Sequence, residues 1–540
     1  ANMKRQKELE RICQALENIK EKKPGTFHEA MQLFWLFALL AGVINYGRLD
    51  DYLGPYLVAD LKSGRLTDEE AYRYIHSLWT MIENRRTTVN GRIIVGGKGR
   101  KHPKEADVFL HIAMKVAKNC RYVEPQFTLR FDKETSEEIW DEALDALGAG
   151  ATYPTLYNDD VNVPAVMYGM RVDEKTAEQY VPFGCTEFVI QGQSTGTPNI
   201  CINLLKLLTI YMNDGIDPID GKRKSGPVSL KKLEEYQTFE EFYDGYKALL
   251  DYYLDLSVKA QYHSYEVMNQ HVSFLFTSLL TDDCIARGKA LLDGGVRYLG
   301  GTNETYGNIN TSDSLWVIRD LVFNQKKYTL RQLNDAMLAN FNGYEALRKD
   351  CLNCDKYGND LETADTMAND LYEFVAKGVR NRGIAIGMQY FLIVISNNQL
   401  NTEWGNRTAA SPDGRLSCMY MNPANNPQGG ANKSGPTAML NSLAKFDAKY
   451  HGGSVQNIKF SPSMFNENRA VIKSLFKTYF AKGGCHLMVT VVDKGVLEDA
   501  VEHPENYPDL IVRVSGFSAV FVDLSPNIQQ ELLSRVLYDK

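Results

Sequence analysis

Short apolar runs that stop at a glycine or a polar turn recur between helical stretches, and this alternation constrains the fold more than any other feature of the chain. Arg92-Ile93-Ile94-Val95 runs into Gly96-Gly97, Gln126 to Phe131 forms a second run, and Leu487 to Val492 ends at Asp493. Runs of this length, rich in β-branched and aromatic residues, read as strands. The helical stretches show in their first turns. Thr67 is followed by Asp68, Glu69 and Glu70, a charge placement that suits a helix N-terminus and predicts a helix over 67–83. Residues 137–147 have the same character. Helices interleaved with buried strands make an α/β protein. Met31 to Ile44 is apolar but too short to cross a bilayer, and it reads as a buried helix.

Composition narrows the function classes. The chain has 540 residues, 44% of them hydrophobic, so it can bury a sizeable core. Its 60 basic and 67 acidic residues leave a net charge of −7, without the basic stripe that nucleic-acid binding calls for. The densest basic run, Lys98 to Lys104, reads as a solvated turn. Nine cysteines lie scattered without framework spacing, which points to a reducing, cytoplasmic setting. Cys351 and Cys354 form a lone CxxC without a second pair at zinc-site distance, so they read as structural and no metal is expected. The opening ANMKRQKELERICQALENIKEKK is charged and helical, unlike a secretion signal or a membrane span. It begins as if inside a helix, so the chain is expected to be the C-terminal part of a longer polypeptide. No repeat or linker divides it. The polar loops at 405–415 and 422–436 are long enough to be functional or mobile.

Two stretches carry unusual chemistry. In VPFGCTEFVIQG (181–192) a thiol, Cys185, stands between Gly184 and the carboxylate of Glu187 inside an apolar run. A core strand needs neither the glycine nor the carboxylate, although a free cysteine alone is most often a buried small hydrophobe. In RVSGFSAVF (513–521) Gly516 interrupts strand-like residues, where glycine marks a bulge or a close backbone approach.

Together these stretches resemble the thiyl and glycyl-radical loops of the glycyl radical enzymes, the pyruvate formate-lyase superfamily. The GCTE sequence is similar to the Gly-Cys-x-Glu form of its dehydratase and eliminase branch. GRLDDYLGPYL (47–57), YPTLYNDD (153–160), GNINTSDSL (307–315), SPDGR (411–415) and HPENYPDLIVRVSG (503–516) resemble further landmarks in the family's order, from about residue 25 onward. The resemblance implies a ten-stranded α/β barrel in which the two loops meet inside. It implies a barrel part over 1–420 and a glycine-radical part over 421–540. Gly516 would store a radical at its Cα, Cys185 would relay it as a thiyl, and Glu187 would take a proton from the substrate radical so that a leaving group departs. Phe183, Phe188, Asn303 and Tyr306 are candidate pocket walls. No bound cofactor is implied. A separate iron–sulfur, radical S-adenosylmethionine activating enzyme is implied, and a homodimer is compatible with the family.

The chain departs from the family's patterns in places. Gly184 stands where pyruvate formate-lyase has a second cysteine, which disfavours formate acetyltransfer, while decarboxylation and other C–C cleavage stay open. Phe188 stands where many eliminases have proline. Gly42-Val43 replace the His and Ser that hold a vicinal diol, which puts a diol substrate in doubt. A rival of another class also has a foothold: GQSTG (192–196) matches the G-x-S-x-G elbow of α/β-hydrolases, with Ser194 as nucleophile and His451, His486 or His503 as partner. IIVGGKGR (93–100) lacks nucleotide-loop spacing. A catalytically silent barrel paralogue is the remaining alternative.

Overall fold

The structure, a computed structural model, describes residues 2–43, 45–86, 91–196, 199–396 and 399–539. Ten strands form two sheets. The larger runs β1 (Gly47–Arg48), β2 (Ile93–Gly96), β3 (Phe127–Phe131), β4 (Thr155–Asn158), and then β12 (His486–Val491) and β11 (Asn457–Phe460). Its strands are parallel except at the β4–β12 junction, where Leu156 pairs with Leu487 antiparallel. The smaller sheet is parallel throughout, in the order β10 (His451–Ser454), β9 (Tyr390–Ile395), β8 (Gly300–Tyr306), β7 (Ile200–Asn203). Parallel strands need covering on both faces. Helix Pro103–Asn119 buries Phe109, Leu110, Ala113 and Met114 in the core beside the larger sheet, and helices Phe239–His271 and Glu362–Ala385 pack on the smaller one.

The expected helix at 67–83 spans Asp68–Asn84, with Thr67 and Glu70 forming a reciprocal capping box. The second spans Glu137–Gly148 and is capped by the Ser136 hydroxyl. The three expected strands fall within a residue or so of their predicted limits. The buried helix expected over Met31 to Ile44 needs correction. It runs Phe27–Leu40 and buries only Phe27, Ala30, Met31 and Ala38, while Leu33, Phe37, Leu39 and Leu40 are exposed; Ile44 lies outside the described residues. An apolar run gives the helix an appetite for burial but not a partner on both faces. Among the described residues no helix is long and apolar enough to cross a membrane.

Two hairpins stand apart from the sheets. One pairs β5 (Tyr180–Phe183) with β6 (Glu187–Ile190), and its tip is Gly184, Cys185 and Thr186. The other pairs β13 (Ile511–Arg513) with β14 (Ser518–Val520) around Val514, Ser515, Gly516 and Phe517. Gly516 therefore sits at a hairpin tip, not within a strand as its apolar flanks suggested. Val492, Leu497, Val512, Val514, Phe517, Phe521, Ile528 and Leu532 give this C-terminal hairpin a small core of its own.

Candidate active site

The tips of the two hairpins touch. A Cβ built on Gly516 would lie 2.1 Å from the Cβ of Cys185, 2.3 Å from its Cα and 2.7 Å from its Sγ. No side chain fits there, so the position demands glycine on steric grounds. Cys185 is 4% exposed. Burial pushes its thiol well above the ordinary cysteine value, and the nearby carboxylates of Glu187 and Glu304 add to this. At neutral pH the sulfur therefore keeps its hydrogen, the form suited to hydrogen-atom exchange and unsuited to ionic attack.

Several groups hold the thiol's hairpin. Gly184 has φ +52°, and the Glu187 carboxylate folds back to within 2.8 Å of where its Cβ would be. Only glycine accepts both conditions freely. Behind the tip, a Cβ on Gly453 of β10 would meet the Thr186 carbonyl oxygen at 2.3 Å. Arg92, wholly buried just before β2, donates to the carbonyls of Gly184 (2.8 Å) and Cys185 (3.1 Å). Gln126 (2.7 Å) accepts from the same nitrogen, and Thr128 (2.8 Å) from the other terminal one. The opposing tip is anchored by Arg535, which donates to the Val514 carbonyl while paired with Glu531.

A second carboxylate accompanies Glu187. Asn199 donates from one amide nitrogen to Glu187 (3.0 Å) and to Glu304 on β8 (2.9 Å). Tyr306 also donates to Glu304 (2.7 Å), and the Cys201 thiol lies 3.5 Å from the same carboxylate oxygen. Burial, with the Glu304 charge next, raises the Glu187 carboxyl to about 7.

The chain's likeness to known proteins decides what this arrangement belongs to. A family model described as pyruvate formate lyase-like matches residues 1–400, and one described as glycine radical matches residues 421–522. The chain belongs to the pyruvate formate lyase-like family. It is 28% identical to a trans-4-hydroxy-L-proline dehydratase of Clostridioides difficile, over 98% of this chain and 70% of that protein. A (2S)-3-sulfopropanediol dehydratase of Klebsiella oxytoca is also 28% identical, over 99% of this chain and 68% of its own length. The solved B12-independent glycerol dehydratase of Clostridium butyricum superposes with a TM-score of 0.91 at 28% identity, covering 99% of this chain and 70% of that one. The pyruvate formate lyase-like barrel is thus the fold, and its relatives are glycyl radical dehydratases and lyases. A glycine radical segment means a radical installed after translation.

Within this family's barrel the expected site residues divide. Cys185, Glu187 and Gly516 come together at the hairpin tips. Tyr306 joins them through Glu304. Phe183, opposite Glu187 across the hairpin, lines a cleft of about 700 Å³ with Phe37, Tyr46 and Val189. Phe188 does not wall the same pocket: strand alternation turns it away from Glu187, into a core with Tyr157, Tyr180 and His451. Asn303 likewise faces away from Glu304 and meets Ser257 on the helix Phe239–His271. Sequence reasoning missed Glu304, Asn199, Cys201 and Arg92. The only local signal was the i, i+2 spacing of Glu304 and Tyr306, which places both on one face of a strand.

The hydrolase alternative loses its geometry. Ser194 lies in a turn between β6 and β7, where its hydroxyl accepts from the Ile190 amide (2.8 Å), and the next helix begins only at Leu204, after β7. Thr197 and Pro198, which follow the motif, lie outside the described residues. Of the candidate partners, His451 and His486 are buried, which lowers both, His451 to about 3. His503 is exposed at the end of helix Lys494–Glu502.

Proposed function

We propose that the chain is a glycyl radical lyase, a dehydratase or other C–X lyase, acting on a small polar metabolite. The contact between Cys185 and Gly516 carries this reading. A radical at the Gly516 Cα is stabilised by the flanking amide nitrogen and carbonyl, provided no side chain forces the centre out of plane. Cys185 gives its hydrogen atom to that Cα and becomes a thiyl, which takes a hydrogen atom from a substrate carbon. Glu187 removes a proton from the substrate radical, and the neighbouring C–X bond breaks with its electron pair leaving on X. The product radical recovers a hydrogen atom from Cys185, and the thiyl recovers one from Gly516. Close burial of all three groups keeps oxygen and bulk water away.

An iron–sulfur, radical S-adenosylmethionine enzyme would install the radical, which requires Gly516 to leave the barrel. The separate small core of the C-terminal hairpin and a 50 Å³ cavity against Val512, Arg513 and Leu532 support such a swing. The barrel part would be 1–420 and the glycine-radical part 421–540; within the latter β10, β11 and β12 stay in the sheets, so the segment that swings is the C-terminal hairpin with its small core. A homodimer and an anaerobic cytoplasmic setting complete the reading. The test is anaerobic electron paramagnetic resonance after incubation with activating enzyme, reductant and S-adenosylmethionine. A doublet from the single Cα hydrogen, absent in Gly516→Ala, is expected; silence with a proven activator would leave the silent-paralogue reading standing.

A further inference from the structure

Asn199 stands immediately before β7, outside both of the loops whose chemistry shows in the sequence. The parallel register pairs Ile200 with Asn303 and Cys201 with Glu304, and Asn199 meets Thr302 one step earlier on the same two strands. Side chains alternate along a strand. Asn199 and Cys201 therefore share one face with Thr302, Glu304 and Tyr306, and Asn199 reaches from it to Glu187.

Both ends of the Asn199 amide are engaged. Its Oδ1 accepts from the Thr302 hydroxyl. Its Nδ2 carries two hydrogens, and it donates to one oxygen of Glu187 at 3.0 Å and one of Glu304 at 2.9 Å. Exchanging the two ends would turn the amide oxygen onto two carboxylates, so the bond to Thr302 fixes the sense of the amide. The other Glu187 oxygen accepts from the Thr186 amide at 2.8 Å. The carboxylate is thus gripped at both oxygens, one by its own hairpin and one by β7. Without Asn199 only the hairpin's own amide holds it, and the Glu304 charge repels the freed oxygen.

We propose that Asn199, oriented by Thr302, is a positioning residue that grips Glu187 from outside its hairpin and shares one amide between Glu187 and Glu304. Its consequence for catalysis rests on the proposed lyase reading, in which Glu187 is the base; the grip itself does not. The shared amide holds the base in one orientation before substrate arrives, which is where positioning lowers a barrier. It also donates to an ionised carboxylate, which favours the charged form against burial and the Glu304 charge.

The test follows Glu187 directly in the unactivated full chain, by the carboxyl band in pH-difference infrared spectra. The band is assigned by its loss in Glu187→Gln. The wild-type midpoint is expected at about 7. Asn199→Leu, close in size but without the amide, should raise it by about one pH unit. Thr302→Val should raise it by less, and the double variant no further than Asn199→Leu alone, because Thr302 acts through Asn199. Asn199→Gln, which keeps an amide, should return part of the shift. Thermal melts verify folding, and Thr302→Val, a milder change, repeats the test if Asn199→Leu does not fold. An unmoved midpoint in the folded variants would overturn the proposal, since a merely structural asparagine leaves Glu187 where it was. So would a full Thr302→Val shift added on top of Asn199→Leu. Activation is read separately: a Gly516 doublet is expected in wild type and Asn199→Leu alike. Its absence from both would sink the radical reading without touching the infrared result.

Discussion

Arg92 offers the sharpest test of how the thiol is aimed. Its guanidinium is buried, and two of its hydrogen bonds end on the carbonyls of Gly184 and Cys185. Both come from one nitrogen that also serves Gln126, so the two carbonyls share about one charged hydrogen bond, which tethers the hairpin tip by about 1.5–3 kcal/mol. Arg92→Gln recovers at best one neutral bond and leaves the other carbonyl unpaired. The tip then relaxes away from Gly516, and a misplacement of about 1 Å costs on the order of a hundredfold in rate. The assay is the fate of the glycyl doublet in D2O. On the proposed radical reading, the Gly516 hydrogen reaches solvent through the thiol that trades hydrogen atoms with it, and deuterium then collapses the doublet to a singlet. In Arg92→Gln the doublet should still form, because Arg535 holds the Gly516 tip independently. Its collapse should slow by about a hundredfold, and turnover with it. Arg92→Lys, which keeps the charge and can reach one carbonyl, should fall between. Collapse at the wild-type rate in a folded Arg92→Gln would refute the positioning argument, because a merely structural arginine would leave this exchange unchanged.

The remaining predictions address the other parts of the site. In Gly516→Ala the new methyl meets Cys185 at 2.1 Å, so beyond losing the radical signal it should destabilise the contact by about 1–3 kcal/mol, read as faster amide exchange at 511–520. Glu187→Gln should keep the doublet and its deuterium exchange but lower turnover by about 10²–10⁴; full turnover would remove Glu187 from proton transfer. Because Glu187 is held at about 7 and must be unprotonated to act as base, kcat/KM should rise with pH through about 7 and then level. Glu304→Gln should move that rising limb to lower pH, since it removes a charge that raises Glu187; an unmoved limb would assign the titration elsewhere. Ser194→Ala should leave radical turnover intact, and a fluorophosphonate probe should not label Ser194.

How much of this was legible in the chain depends on how local each feature is. The capping box at Thr67 and Glu70 depends on residues within one turn, and the sequence displays it directly. Gly184, Cys185, Glu187 and Gly516 are legible because their chemistry is peculiar to their own neighbourhoods, although only the resemblance joined the two ends. Strand faces are a middle case. Alternation starting from Glu187 already places Phe188 on the far side of the hairpin, and alternation from Glu304 does the same for Asn303, so those two errors were avoidable. Arg92 and Asn199 are different. Arg92 reads as the first residue of an apolar run, and nothing nearby says that its guanidinium crosses Gln126 and Thr128 to reach a hairpin many residues later. Glu304 sits in an Asn-x-Thr triplet, and its pairing with Glu187 exists only after β7 and β8 align in register, Ile200 opposite Asn303. The same reasoning covers the helix Phe27–Leu40, whose apolar residues fixed its appetite for burial but not its neighbours. What the local sequence withheld was which charges would share one interior. In this barrel that sharing sets the proton affinity of Glu187.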